Sequence, residues 1–190
     1  TIESQAPNGA HLEGSYASAT CAVVEDTAKT DVMKFTSRVA WTVYPSGWIS
    51  LRSEIASDHP EMPLPRLGYV MQVPSADGQM TYYGRGPMEN YSDRYTCAFV
   101  GKYSGPVKEQ VANYTKPQEM ANHEEVRWAT LTRKNGRGVS FDALENSLRH
   151  SDSDLPVMSV SALPYAAIDL VTAAHQHELP APGDTWLCLD

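Results

Sequence analysis

The stretch Phe35–Ile55, FTSRVAWTVYPSGWISLRSEI, decides the fold class of this chain. Apolar side chains alternate with polar ones on both sides of the turn Pro45-Ser46-Gly47. Two runs with a period of two, separated by a proline–glycine turn, are typical of antiparallel strands with one buried and one wet face. The sequence therefore predicts a β-hairpin here.

Further strands are predicted along the rest of the chain, and the connections between them are long and rich in proline. One helix is predicted, Ala166–Gln176, which follows Pro164 and has an apolar side. Many strands with one short helix predict an all-β sandwich. The other predicted strands are Cys21–Glu25, Gly68–Val73, Met80–Tyr83, Val126–Arg133, Val139–Phe141, Val157–Ser161 and Thr185–Leu189.

Length and composition limit the class of protein. A chain of 190 residues is long enough for one domain with a sizeable core, predicted over residues 21–190 after a leading segment or linker, 1–20. The net charge of −8 without a Lys/Arg cluster argues against a nucleic-acid partner. No apolar run approaches the ~20 residues that cross a bilayer, so no membrane partner is predicted. The chain begins with Thr1, which indicates a processed or excised polypeptide, and its compartment is left open.

The densest turn-and-charge segment is Gly84–Arg94, GRGPMENYSDR. Glycine, proline and asparagine can each restrict or redirect the backbone in such a segment. Glu89 and Asp93 lie beside Arg85 and Arg94, so a bidentate ion pair is chemically available. The composition predicts an ordered, specific loop.

This loop resembles the G-P-x-E-N-Y-x-D-R signature of the last domain, the small-chain domain, of large lac-type β-galactosidases of glycoside hydrolase family 2. Other elements of that family follow in the same order from about Phe35 to the last residue. Leu64–Gly68 matches L-P-R-x-G, and Tyr114, Pro117–Glu119 and Val126–Trp128 match Y-x-x-P-Q-E…R-W. Ser159–Leu163, Asp169–Leu170, His175–Leu179 and Thr185–Asp190 match S-x-S-A-L…D-L…H…L and T-W-L-x-x-D.

The resemblance implies the antiparallel supersandwich that this domain shares with galactose mutarotase. It also implies a parent enzyme that hydrolyses terminal β-D-galactosides with retention, by two carboxylates about 5–5.5 Å apart. In the family those glutamates lie in a separate barrel domain, and the magnesium and sodium ions are bound by other domains. We therefore expect no catalytic residue, cofactor or metal in this chain, and no hydrolysis by the chain alone.

The resemblance further implies how this chain would serve its parent. It would support the catalytic barrel, shape the mouth of the active site and contribute to a homo-oligomer. The galactoside would be only an indirect partner of this chain. Trp186 matches the tryptophan of the family's T-W-L strand and not the active-site tryptophan of the loop that follows. A chain that ends at Asp190 is thus expected to lack the last strands of the domain.

The candidate site residues each have a structural and a functional interpretation. Glu89, Asn90, Asp93 and Arg94 either brace their own loop or contact sugar and the barrel. For Arg66 the alternatives are an ion pair and a ligand contact. Glu119 and Arg127 are candidates for an ion pair across a loop. The family has a glycine near Ala121, so the turn there is expected to differ.

Two further groups of residues carry weaker predictions. The run His123-Glu124-Glu125 is interpreted as a solvated loop. His175 and His177 have no third ligand at a suitable spacing, so no metal site is predicted.

Two alternatives to a non-catalytic domain remain open. One is a carbohydrate-binding module with a mutarotase-like sugar face. The other is a free-standing mutarotase, for which neither His150 nor His175 lies in a matching motif.

Overall fold

The computed structural model describes residues 11–16, 19–29, 33–64, 66–74, 78–145, 151 and 153–190, the first two ranges by their backbone. The chain divides into two compact units, residues 1–65 and 66–190. Each unit is built from antiparallel strands, and each is described by itself below.

The first unit is a four-stranded meander in the order β1-β2-β3-β4. The predicted hairpin is confirmed: Trp41 lies opposite Leu51, and Gly47 closes the turn with a φ of 90°, a value that favours glycine. Part of the predicted leading segment is itself a strand, β1. The strands are β1 His11–Tyr16, β2 Ala19–Lys29, β3 Lys34–Val43 and β4 Ile49–Ser57.

The second unit contains two four-stranded sheets, ordered β10-β9-β6-β7 and β5-β12-β11-β8. All of their pairs are antiparallel. The strands are β5 Tyr69–Val73, β6 Gln79–Gly86, β7 Phe99–Pro106, β8 Asn122–Val126, β9 Trp128–Thr132, β10 Gly138–Asp142, β11 Met158–Leu163 and β12 Thr185–Leu189.

The core of this unit is formed by side chains from both sheets. Met80 and Tyr82 alternate with outward residues along β6, and Ala129 and Leu131 do so along β9. They pack in one cluster with residues of the other sheet, among them the fully buried Leu187. Two sheets that share one apolar core form a sandwich, and the predicted all-β class is confirmed.

The predicted strand Val126–Arg133 spans the last residue of β8 and the whole of β9, which lie in different sheets. β8 pairs with β11, whereas β9 pairs with β6. The chain crosses between the sheets at Arg127, whose N–H donates to the carbonyl of Tyr83 (2.8 Å). Strand β7 was not predicted, because Gly101 and Gly105 interrupt its alternation of polar and apolar residues.

The predicted helix is shorter than its apolar pattern indicated. It spans α1 Ala167–Thr172 and begins where the Asp169 carboxylate accepts a hydrogen bond from Ala166 N–H (2.9 Å). It ends because Ala173 is extended, and a separate 3₁₀ turn follows at Gln176–Glu178. In the part of the chain that the structure describes, no helix has the length and apolar character needed to cross a membrane.

His123 on β8 is a fully buried titratable group. Its Nδ1 is 2.9 Å from the hydroxyl of Tyr82, and its Nε2 is 3.1 Å from Oε1 of Gln110. A ring that accepts from tyrosine at one nitrogen and donates to the amide oxygen at the other is neutral. Burial lowers the pKa of His123 to about 4, against the weaker opposing effects of the Arg85 backbone and Glu89.

We predict that His123 makes the chain less stable as the pH falls from 7 to 5. The pKa is lower in the folded than in the unfolded state, so its contribution is present above about pH 6.5 and is lost as the pH falls towards 4. Urea unfolding should show a loss of about 1–2 kcal/mol that is absent from His123→Gln. The exposed His59→Gln variant should keep the wild-type pH dependence, and equal slopes in all three proteins would contradict the prediction.

Candidate functional site

The loop Gly84–Arg94, called the signature loop below, is attached to strand β8 through Asn90, which is fully buried. Its side-chain NH₂ donates to the carbonyls of Arg85 (3.0 Å) and Met88 (2.9 Å). Its Oδ1 accepts from the N–H of Glu124 (2.9 Å), and its own N–H donates to the carbonyl of Asn122 (2.8 Å). Asn90 therefore fixes both the shape of the loop and its position against the sheet.

Glu89 is the second anchor of this loop. Its Oε1 accepts from Arg94 Nη2 (2.6 Å) and from the Tyr114 hydroxyl, and its Oε2 accepts from Ala121 N–H (2.8 Å). Burial would raise the pKa of Glu89, but these hydrogen bonds together hold it below its ordinary value. The carboxylate is ionised at neutral pH and joins three segments of the chain.

Ala121 adopts a φ of 65°, in the left-handed region that favours glycine. The resemblance places a glycine near this position, and the alanine here keeps the conformation that a glycine would take easily. In this conformation the Ala121 N–H donates a hydrogen bond to the Glu89 carboxylate. The turn is thus compatible with alanine, at a conformational cost of about 1–2 kcal/mol.

Arg66 is the centre of a second polar cluster. Its Nη1 donates to Oε1 of Glu119 (2.8 Å), its Nε to a carboxylate oxygen of Asp190 and its Nη2 to the Ser161 hydroxyl (3.3 Å). Burial raises the pKa of both Glu119 and Asp190, and the Arg66 charge opposes that shift. One guanidinium thereby connects the first residue of the second unit to β11 and to the end of β12.

A third ion-paired cluster lies where β8 and β9 meet. Glu125 is 11% exposed in its side chain and has a φ of 51°. Its Oε1 accepts from Arg85 Nη2 (3.1 Å), its Oε2 is 3.8 Å from Arg127 Nη1, and its carbonyl accepts from the same Arg127 nitrogen. The Nε–H groups of both arginines are buried without an acceptor among the described residues.

These clusters correct one predicted contact and contain another that was expected. Glu119 and Arg127 do not pair with each other, because Glu119 lies against Arg66 and Arg127 lies against Glu125. Glu89 pairs with Arg94, while Asp93 is exposed in the loop between them.

The run His123-Glu124-Glu125 is a buried strand and not a solvated loop. Its polar residues are accommodated by specific partners, including Tyr82 for the histidine and Asn122 for Glu124 (2.7 Å). No local pattern distinguishes such a strand from an exposed charged segment, since the deciding partners are distant in sequence.

Sequence reasoning missed three ionisable side chains that bind the predicted site residues: Tyr114, Glu125 and Asp190. Tyr114 and Asp190 could have been suspected, because both lie in segments that match the family pattern. Glu125 had no such signal. Among the residues that the structure describes, no group of three or more His, Cys, Asp or Glu side chains is arranged to hold a metal ion.

The fold and the clusters together define a class of protein: an all-β sandwich whose loops are held by buried and half-buried arginine–carboxylate pairs. A family model described as the β-galactosidase small chain matches residues 3–190. The chain therefore belongs to the β-galactosidase small-chain family, as its motifs indicated.

Several bacterial relatives are similar to this chain over most of its length. A β-galactosidase of Priestia megaterium is 36% identical over 143 residues, which are 75% of this chain and 13% of the relative. A β-galactosidase of Arthrobacter sp. strain B7 is 32% identical over 68% of this chain and 12% of its own. β-Galactosidase BgaC of Bifidobacterium adolescentis is 34% identical over 76% of this chain and 13% of its own. The chain thus spans only a small part of the length of these relatives.

We predict that Glu89→Gln lowers the free energy of unfolding at pH 7 by about 1–3 kcal/mol, because the hydrogen bonds from Arg94, Tyr114 and Ala121 lose their charged acceptor. The pKa of Glu89 is lower in the folded state, so this contribution is present at neutral pH and is lost as the pH falls below about 4. Urea unfolding at both pH values measures the difference. Asp93→Asn removes the same charge at an exposed position and should have little effect; equal losses in the two variants would refute this role for Glu89.

A second prediction concerns Arg66. Arg66→Lys should destabilise the chain by about 1–3 kcal/mol, since an ammonium group cannot reproduce the fork that reaches Glu119, Asp190 and Ser161. Thermal unfolding of the variant gives the measurement. The matched control is the exposed Arg133→Lys, for which no comparable loss is expected. A wild-type melting temperature for Arg66→Lys would show that the cluster contributes no stability.

Proposed function

We propose that this chain is the non-catalytic small-chain domain of a β-galactosidase that hydrolyses terminal β-D-galactosides. Family membership supports the assignment to a β-galactosidase. The relatives named above are called β-galactosidases, and the matched region is a small part of each. Most of the chain that performs the chemistry would then lie outside the residues described here.

The observation that carries the non-catalytic assignment is the saturation of Glu89 by three donors. A general acid at neutral pH needs a raised pKa and access to the leaving group. The pKa of Glu89 is lowered instead, and its oxygens are occupied by the loop that it holds. Of the other candidate carboxylates, Glu119 has a pKa raised by burial but lies in an ion pair with Arg66, and Asp93 is exposed in the loop.

A retaining mechanism in the parent would use two carboxylates of its larger remaining portion. Magnesium and sodium, where the parent uses them, would be bound there as well. This chain would serve as a rigid support for the catalytic barrel, the mouth of the active site and the oligomer. The clusters around Glu89 and Arg66 favour such a role, because they hold loops that would otherwise move.

The decisive experiment compares the full-length polypeptide that contains this sequence with the isolated chain. We expect the full polypeptide to hydrolyse 4-nitrophenyl β-D-galactoside, and the isolated chain to give only the background rate. Circular dichroism of the isolated chain verifies that it contains β-structure. The 4-nitrophenyl α-D-galactoside is the matched control for the anomeric configuration.

Two outcomes would contradict the proposal. Turnover of the β-galactoside by the isolated chain, reproduced in a second preparation, would assign catalytic residues to it. A full polypeptide that folds but does not hydrolyse the β-galactoside would contradict the assigned activity.

A further inference from the structure

The outward face of the β10-β9-β6-β7 sheet carries an unusual set of side chains. Tyr83 on β6 lies between Trp128 on β9 and Lys102 on β7, as the register of the two strand pairs shows. Arg85 follows two residues along β6 and points to the same side. The residues of this cation–aromatic face are Tyr83, Arg85, Tyr95, Lys102, Arg127 and Trp128.

Each cation of this face lies against an aromatic ring. The guanidinium carbon of Arg85 is 4.8 Å from the ring centre of Tyr95, and that of Arg127 is 5.7 Å from the ring centre of Tyr83. The Lys102 ammonium is 5.9 Å from the ring centre of Trp128. The Tyr83 and Trp128 rings are themselves 6.5 Å apart and inclined by 32°. The cations and rings thus form one continuous surface.

Positive charge exceeds negative charge on this surface. Arg85 and Arg127 share the single carboxylate of Glu125, and Lys102 adds a third cation. Asp142, exposed opposite Trp128 on β10, is the second carboxylate of the face. Three cations thus stand against two carboxylates, in a chain whose net charge is −8. The face is complementary in charge to an acidic partner.

The composition of the face is that of a protein–protein contact. Trp, Tyr and Arg are the residue types enriched at the energetic centres of such interfaces. Tyr83 is 39% exposed although it lies in the middle of the sheet. A sugar would need free ring faces for stacking, and here cations already lie over Tyr83 and Trp128. A nucleic acid would need a longer row of cations than three.

We propose that an acidic segment of the remaining β-galactosidase polypeptide docks on the cation–aromatic face. This inference rests on the proposed function and names the surface through which the domain would support its parent. We infer this occupant from the length of the relatives, because the matched regions are only 12–13% of it. Most of such a polypeptide lies outside this domain and can supply the acidic segment. Docking would remove water from the cation–aromatic pairs, which strengthens them.

Lys102 allows a direct test in the full-length enzyme. A water-soluble carbodiimide joins a lysine amine to a carboxylate only when the two groups are in contact. We expect a carbodiimide cross-link from Lys102 to an Asp or Glu outside residues 1–190 and within the same polypeptide, identified by peptide mass spectrometry. Lys108 is the matched control, because it is also exposed but lies in the 3₁₀ turn Val107–Gln110. When the enzyme is labelled with an acylating reagent, Lys108 should react several times faster than the covered Lys102.

Charge reversal gives a second, independent measurement. Lys102→Glu in the full-length enzyme should accelerate thermal inactivation about fivefold, whereas Lys108→Glu should leave the rate unchanged. Replacing the cross-linked carboxylate by lysine in the Lys102→Glu enzyme should restore the wild-type rate. Because the cross-link is measured on the unmodified enzyme, failure of a variant to fold does not prevent the test.

Three results would overturn the inference. One is equal labelling of Lys102 and Lys108 with no cross-link from Lys102. The second is a cross-link that joins isotopically light and heavy subunits, which would assign the face to contact between copies of the enzyme. The third is a cross-link to a carboxylate within residues 1–190. In each case hydrolysis of the β-galactoside by the same preparation would show that the proposed function stands while the docking inference fails.

Discussion

After Val126 the chain leaves one sheet of the sandwich, and at Trp128 it joins the other. Just before this crossing, Glu125 has a left-handed backbone, and its carboxylate is nearly buried. A buried carboxylate without a partner would destabilise the fold strongly, so the guanidinium groups of Arg85 and Arg127 are needed beside it. The two sheets, the core between them and the outward cation–aromatic face all depend on this neutralised corner.

The same physical rule operates at the edges of the sandwich. Glu89 and Arg66 each connect three separate segments through charged hydrogen bonds, and each is partly withdrawn from water. Such groups stabilise one arrangement of the loops, because any other arrangement leaves a charge or a donor unpaired. A rigid set of loops suits the supporting role that we propose for this domain.

Much of the fold was predictable from local patterns. The alternation of Phe35–Val43 and the Pro-Gly turn predicted the hairpin, and short runs such as Thr185–Leu189 predicted strands that the structure contains. Strand β7 was not predicted, because Gly101 and Gly105 lack the side chains on which a periodic pattern depends. The predicted run Val126–Arg133 concealed a change of sheet at Arg127, because Val126 is the last residue of β8 and the residues from Trp128 onward form β9.

The sequence by itself determined the all-β class, the family and the residues of the signature loop. Those properties depend on periodicity and on the order of motifs, which are local. Only the tertiary structure decided that Glu119 pairs with Arg66, that Glu125 holds Arg85 and Arg127, and that His123 is a buried neutral ring. Each of these depends on groups far apart in the chain, and the electrostatic partner of a charge is set by proximity in space rather than by spacing in sequence.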